Sequence, residues 1–262
     1  MSVDSMANEV HHAGETKTPI TPFTHRSISL SNTEAYAISR KLVELKRWNV
    51  SGRKIGFTNR SIWPIYGVDQ PIWGSISSSS VSFAQDGQAT VYLSNYCEPR
   101  VEPEIVIAFR ETPSVDMDES NIAKCIDWIA PGFEIVDSIY PQWKFNISDA
   151  IAAGGLHGEL IIGQKYQPTS ELTKKLLDQK VTLLQNNNVI ETGSGRNILE
   201  GPISALRYLI KGIENESEEA PIVANDIITT GTLTDAKILR SGETWVADYT
   251  GLINQSLMID II

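Results

Sequence analysis

Glu102 and Glu104 stand two residues apart in VEPEIVIAF, on either side of Pro103. In an extended strand, side chains two residues apart face the same way, so both carboxylates project to one side. Their neighbours Val101, Ile105, Val106 and Ile107 are apolar. Burying two acids among them is costly unless a proton or a cation neutralises the pair. Hard divalent ions such as Mg²⁺ or Mn²⁺ prefer carboxylate oxygen, and three carboxylates with waters or a chelating ligand complete an octahedron. Glu134, set between Phe133 and Ile135 in GFEIVDSIY, is the candidate third acid. Asp137 lies three residues on, which in a strand is the opposite face. Alternating acids also decorate exposed strand edges, so the spacing alone leaves a surface reading open.

The elements that must position these acids follow from periodicity and punctuation. Residues 1–24 are polar and Pro/Thr-containing and read as a flexible arm. Ser31 and Glu34 form a capping-box pattern, and Ala35, Ile38, Leu42 and Leu45 recur at helical spacing, so residues 25–52 read as a helical appendage. From residue 53 short β-rich segments begin, broken by Pro64, Pro71, a serine run and Asp86-Gly87. The spacing of Ile122, Cys125, Ile126 and Ile129 predicts a helix near 119–129, followed by strands at 132–139 and 159–163. Pro168-Thr169 introduces a short helix carrying Leu172, Leu176 and Leu177, then a strand at 180–185. Pro202 opens another helix with Ile203, Leu206, Leu209 and Ile213 on one stripe, and the acidic run at 214–219 reads as a solvated loop. Strands at 226–230, 236–239, 244–248 and 257–262 complete a mixed α+β catalytic domain over 53–262.

Composition narrows the function. With 22 Lys plus Arg against 32 Asp plus Glu, the formal charge of −10 repels nucleic acid and anionic membranes, though not a small anion met by a local cation. Cys97 and Cys125 are too few for a disulfide framework or thiolate zinc cage and read as free thiols. No apolar run of about 18 residues or basic leader is present, which sets the expectation of a cytoplasmic protein. Gly193 opens GSGRN, but Ile198 replaces the third glycine of a nucleotide loop. His157-Gly158-Glu159 lacks the cysteine pair of a zinc deaminase.

RKIGFTN (53–59), VEPEIVIAF (101–109), GFEIVDS (132–138) and DIITTGT (226–232) resemble, in order and spacing, the fumarylacetoacetate hydrolase superfamily. They look most like its 2-keto-4-pentenoate hydratase and 4-oxalocrotonate decarboxylase branch. The resemblance implies a mixed β-roll or sandwich core in a homo-oligomer, dimer or larger. It implies Mg²⁺ or Mn²⁺ on Glu102, Glu104 and Glu134, with a 2-oxo or 2-hydroxydienoic acid held through its carboxylate and C2 oxygen. Lys54 would stabilise the enolate or shuttle a proton, with Phe57 and Thr58 of the same motif beside the substrate. Thr230, Gly231 and Thr232 would offer donors to the substrate carboxylate, and Asp137 of GFEIVDS would be a further substrate contact. Hydration in aromatic catabolism is the favoured reaction, with decarboxylation, carbon–carbon hydrolysis and a non-catalytic partner subunit as alternatives.

The chain also departs from that pattern. Where relatives carry an A-D-N-A-S-S-like stretch, this chain reads AAGGLHGELIIG (152–163), with Ala153 and Gly154 at the polar pair. His157, near the serine position, reads either as a replacement general base or as a structural histidine in a turn. Gly201 and Ile139 stand where histidine and arginine are frequent, which points to a less charged or bulkier substrate. Lys144 reads as a contact for a second carboxylate or as a surface residue, and Trp63, Trp73 and Trp143 as pocket lining or plain packing.

Overall fold

The computed structural model describes residues 1–216 and 218–262. Its helices are α1 (Val3–Thr16), α2 (Asn32–Leu45), α3 (Trp63–Tyr66), α4 (Glu119–Lys124), α5 (Ile147–Ala152), α6 (Leu172–Leu177) and α7 (Pro202–Asn215). Its strands are β1 (Val50–Gly56), β2 (Ile72–Ser77), β3 (Val81–Phe83), β4 (Gln88–Val91), β5 (Pro99–Phe109), β6 (Ile126–Asp137) and β7 (His157–Ile162). The second half adds β8 (Lys180–Gln185), β9 (Asn188–Ser194), β10 (Ile227–Thr232), β11 (Lys237–Ile238), β12 (Thr244–Thr250) and β13 (Gln255–Ile261).

One sheet runs β2-β1-β10-β5-β6-β7-β3 with β11 on β5, and the other runs β4-β13-β12-β8-β9. The long antiparallel pair β5–β6 is the spine of the first sheet. Its β-branched residues are buried on both faces, with Ile105 and Ile107 in the main core and Val106 and Ala108 in a second cluster with Trp128 and Leu160. Pro103, which has no N–H to give a ladder, falls between the β10 and β11 pairings with β5. The β5–β10 register shifts between Thr229 and Thr232, an irregularity that sits beside the acid cluster.

Several expectations hold. α2 starts at the predicted capping box, with Ser31 and Glu34 exchanging both bonds. The helices carrying Leu172 and Leu206 form as α6 and α7.

Others are corrected. Residues 1–24 are not a flexible arm: α1 buries Met6, Ala7, Val10 and Ala13 against α2, and Phe23 is fully buried. Those positions form one helical stripe, hidden in sequence by its small residues and the following Thr/Pro segment. The proposed boundary at 52/53 cuts β1, which begins at Val50. The helix near 119–129 stops at Lys124, and Ile126 and Ile129 belong to β6. A strand buried on both faces shows no alternation, so its isoleucines mimic a helical stripe. In the acidic run, Glu214 and Asn215 finish α7, Ser217 lies outside the described residues, and Glu219 pairs with Arg40 and half-reaches Arg53 at 3.6 Å. The expected solvated loop therefore carries a largely buried carboxylate.

Candidate active site

The β5–β6 register sets Glu102 directly opposite Glu134 and Glu104 opposite Gly132. Alternation along β5 turns Glu102 and Glu104 to the same face. One carboxylate oxygen from each of the three acids lies within 4.8 Å of the others, with Glu104 and Glu134 fully buried. β1 runs parallel to β10 with Lys54 beside Thr229, and both reach Glu134. Lys54 Nζ is 3.2 Å and Thr229 Oγ1 3.4 Å from Glu134 Oε2. Lys54 itself is 4% exposed, so it is a buried ammonium and not a surface lysine.

Of these groups Lys54 and Glu102 line a cavity of ≈ 400 Å³, whose lining does not include Glu104, Glu134 or Thr229. Lys54, Phe57, Thr58 and Asn59 line one side, Gly231, Thr232, Thr234 and Asp235 another, and Val136, Phe145, Gly155 and Leu156 form an apolar wall. Burial, with Glu134 nearby, pushes the Glu102 carboxyl up to about 7 against the pull of Lys54 and Arg100. Burial, with Glu134 and Glu102, holds Glu104 well above the usual carboxylate range. Burial would also raise Glu134, but Lys54 and His157 outweigh it and hold this carboxyl low. Burial opposes charge on Lys54, yet the three carboxylates overcome it and keep the lysine above its ordinary value.

The donor set fits a hard divalent cation. All three groups offer carboxylate oxygen, and buried Glu104 Oε1 has no hydrogen-bond partner among the described residues. Its other oxygen accepts the Gly231 N–H at 2.8 Å. That N–H is aimed by the β10 irregularity, where Gly231 has φ 104° and a Cβ would lie 1.9 Å from Thr58 Oγ1. Only glycine fits there.

The T-G-T turn also makes bonds within the fold. Gly231 N–H serves Glu104, Thr230 Oγ1 donates to the Ile105 carbonyl at 3.1 Å, and Thr232 Oγ1 to the Thr234 carbonyl at 2.8 Å. The first two bonds brace β5, the strand of Glu102 and Glu104, and Gly231 and Thr232 also line the cavity.

His157 is also reassigned. Its Nδ1 is 2.8 Å from Glu134 Oε1 and its Nε2 is 2.9 Å from Ser80 Oγ, and its side chain is wholly buried outside the cavity lining. Both ring nitrogens are engaged, an arrangement suited to orienting Glu134. Asp137 is no substrate contact: its carboxylate accepts the Cys97 and Glu98 N–H groups at 2.9 and 2.8 Å. Lys144 is exposed and outside the cavity. Of the three tryptophans only Trp143 lines the cavity; Trp63 Nε1 donates to the Phe57 carbonyl and Trp73 stacks on Tyr36. Gly201 caps α7 and Ile139 packs in the core, so neither marks a less charged pocket. The sequence reading missed Arg100 and Tyr66 in the lining and Ser80 behind His157. Arg100 was detectable, since it shares the alternation of Glu102 and Glu104.

This fold and acid cluster define a class. The Fumarylacetoacetate (FAA) hydrolase C-terminal family matches residues 72–256, and the chain belongs to that family. A 2-hydroxypent-2,4-dienoate hydratase of Pseudomonas putida is 26% identical over 211 residues, covering 79% of this chain and 93% of the relative. A 4-oxalocrotonate decarboxylase of Pseudomonas sp is 28% identical over 191 residues, covering 73% of this chain and 71% of the relative. In fold, the chain superposes on 4-oxalocrotonate decarboxylase from Pseudomonas putida G7, complexed with magnesium and adipate, with a TM-score of 0.87 at 23% identity, covering 99% of this chain and 97% of that one. The names of these relatives support an enzyme of the hydratase and decarboxylase branch. No helix among the described residues is long and apolar enough to cross a membrane.

Proposed function

We propose that the protein is a divalent-metal-dependent lyase that adds water to a 2-hydroxy-2,4-dienoate or the related 2-oxo-4-enoate. The observation that carries this reading is the Glu102–Glu104–Glu134 cluster, whose Glu102 lines the cavity and whose other two acids are buried, with the Lys54 ammonium beside it. Names of hydratase relatives and the magnesium held by the solved neighbour support it.

Glu102, Glu104 and Glu134 would hold Mg²⁺ or Mn²⁺. Such an ion, when bound, supplies Lewis-acid stabilisation of negative charge developing at a substrate C2 oxygen. Lys54 contributes to the same cavity an ammonium that can donate to an anionic oxygen or deliver a proton. Phe57 and Leu156 add apolar lining, and Asn59, Thr234 and Asp235 supply polar groups that can hold the water to be added.

A second reading, decarboxylation, is favoured by the apolar wall of Val136, Phe145 and Leu156, which destabilises a carboxylate relative to neutral CO₂. The two are separated by following the ultraviolet decay of fresh 2-hydroxypenta-2,4-dienoate, and CO₂ release from 2-oxohex-3-enedioate, with Mg²⁺ and with chelator. Ion-dependent decay without CO₂ release supports hydration. Ion-dependent CO₂ release supports the second reading, and inertness of folded protein toward both acids removes decarboxylation and hydration of the five-carbon dienoate.

A further inference from the structure

We infer that Arg100 anchors a second carboxylate at the far end of the substrate, so that the acid taken by this site is a dicarboxylate. The inference rests on the proposed 2-oxo acid reading and specifies its substrate class. Arg100, Glu102 and Glu104 share one face of β5. Two strand residues advance about 6.6 Å, a span comparable with the extended length of a diacid of about six carbons. An acid held beside Glu102 by its oxo end can therefore present its other end at the level of Arg100.

The two lysines lining the cavity are already engaged. Lys54 Nζ lies 3.2 Å from Glu134, and Lys237 Nζ lies 2.5 Å from Glu191. Arg100 also lines the cavity, and among the described residues its side chain forms neither an ion pair nor a hydrogen bond. Its Nε is buried without a partner, an arrangement proteins rarely leave unexplained. Its guanidinium carbon sits 4.1 Å from the centroid of the Trp143 ring, and Trp143 is itself fixed by its Nε1 bond to the Glu98 carbonyl at 2.9 Å. Aromatic contact on one side holds the guanidinium while leaving its N–H edge for a planar, bidentate anion.

This placement also bears on the reaction. A guanidinium stabilises the carboxylate it holds, whereas CO₂ loss must discharge it. Hydration places OH on C4 and H on C5 and breaks no bond to the second carboxylate, so the anchor serves substrate and product alike.

The test is calorimetric titration of the Mg²⁺-loaded protein with 2-oxoadipate and with 2-oxohexanoate, which share length and oxo end and differ in the second carboxylate. The expected result is 2-oxoadipate binding about ten- to a hundredfold tighter, the range of one charge-assisted pair. Arg100→Met should erase that preference while leaving 2-oxohexanoate affinity unchanged, and Arg100→Lys should restore part of it. Trp143, in contact with Arg100, should change its emission with 2-oxoadipate only. Equal affinities in the natural protein, or a preference that survives in Arg100→Met and Arg100→Lys alike, overturn the assignment to Arg100 alone. Failure of both acids to bind the Mg²⁺-loaded protein overturns the 2-oxo acid reading beneath it, and the anchor with it.

Discussion

Glu102 and Glu134 face each other across the β5–β6 ladder, two acids at directly opposed positions of one sheet. Like charges so placed are destabilising, and burial intensifies the effect. The sheet tolerates them because Lys54 and His157 converge on Glu134 from β1 and β7. A cation-free site therefore weakens the fold, and neutralising one acid should strengthen it. Glu102→Gln should raise the melting temperature of chelator-treated protein by roughly 1–3 °C, the equivalent of up to about 1 kcal/mol. Mg²⁺ should raise the melting temperature of the natural protein and leave that of the variant nearly unmoved. A natural protein whose melting is indifferent to Mg²⁺ and Mn²⁺ would remove the metal site.

The Glu102 carboxyl, raised by burial and by Glu134 from its ordinary 4.5 to about 7, gives the site a pH dependence of definite sign. Below the ordinary value the group is protonated in both folded and unfolded chains. Between the two values the unfolded chain has lost a proton that the folded chain still holds, so stability falls as pH rises through this window. Chelator-treated protein should therefore melt at lower temperature at pH 7 than at pH 5 by virtue of this group. A divalent ion requires the ionised form, so Mg²⁺ binding near pH 6 should expel a proton. Calorimetry in two buffers of different ionisation enthalpy measures that release, and equal heats in both would contradict it.

Much of this site is written in local sequence, and some of it is not. Glu102 and Glu104 are legible because strand alternation fixes their common face whatever the fold does around them. The start of α2 is legible because Ser31 and Glu34 satisfy each other within one turn. The role of His157 is not, because its partners Ser80 and Glu134 lie 77 and 23 residues away and meet only when β3 and β6 flank β7. The bonds of Thr230 and Gly231 within the fold are illegible for the same reason: their acceptors are carbonyl and carboxylate groups of β5, which no local pattern in β10 announces.

His157 as a positioning residue makes a prediction that a general base does not share. Its imidazole fixes Glu134 Oε1 at 2.8 Å and does not line the cavity. His157→Ala should weaken Mg²⁺ affinity by about 10- to 100-fold, the usual consequence of losing a partner behind a ligand. At saturating Mg²⁺ the kcat should recover to within a few fold, with the shape of its pH profile kept. Unchanged Mg²⁺ affinity together with loss of one limb of the pH profile would return His157 to the role of base.

The N-terminal segment should behave as part of the core. α1 buries Met6 and Val10, and Phe23 is wholly enclosed. Thr24 donates its N–H at 3.2 Å and its hydroxyl at 2.5 Å to Asp149, a fully buried carboxylate. Arg26 pairs with Glu9 at 2.7 Å, which ties the end of the segment back to α1. Deleting residues 1–24 removes three large apolar side chains and strips Asp149 of two donors. Each apolar loss costs about 1.5–3 kcal/mol, and an unsatisfied buried acceptor about 1–3 kcal/mol. That sum is of the order of the whole stability of a typical domain. The truncated chain should accumulate as insoluble or protease-sensitive protein, and Thr24→Val alone should lower the urea midpoint by the equivalent of about 1–3 kcal/mol. A truncated chain with the natural urea midpoint would restore the flexible arm that the polar composition of residues 1–24 suggests.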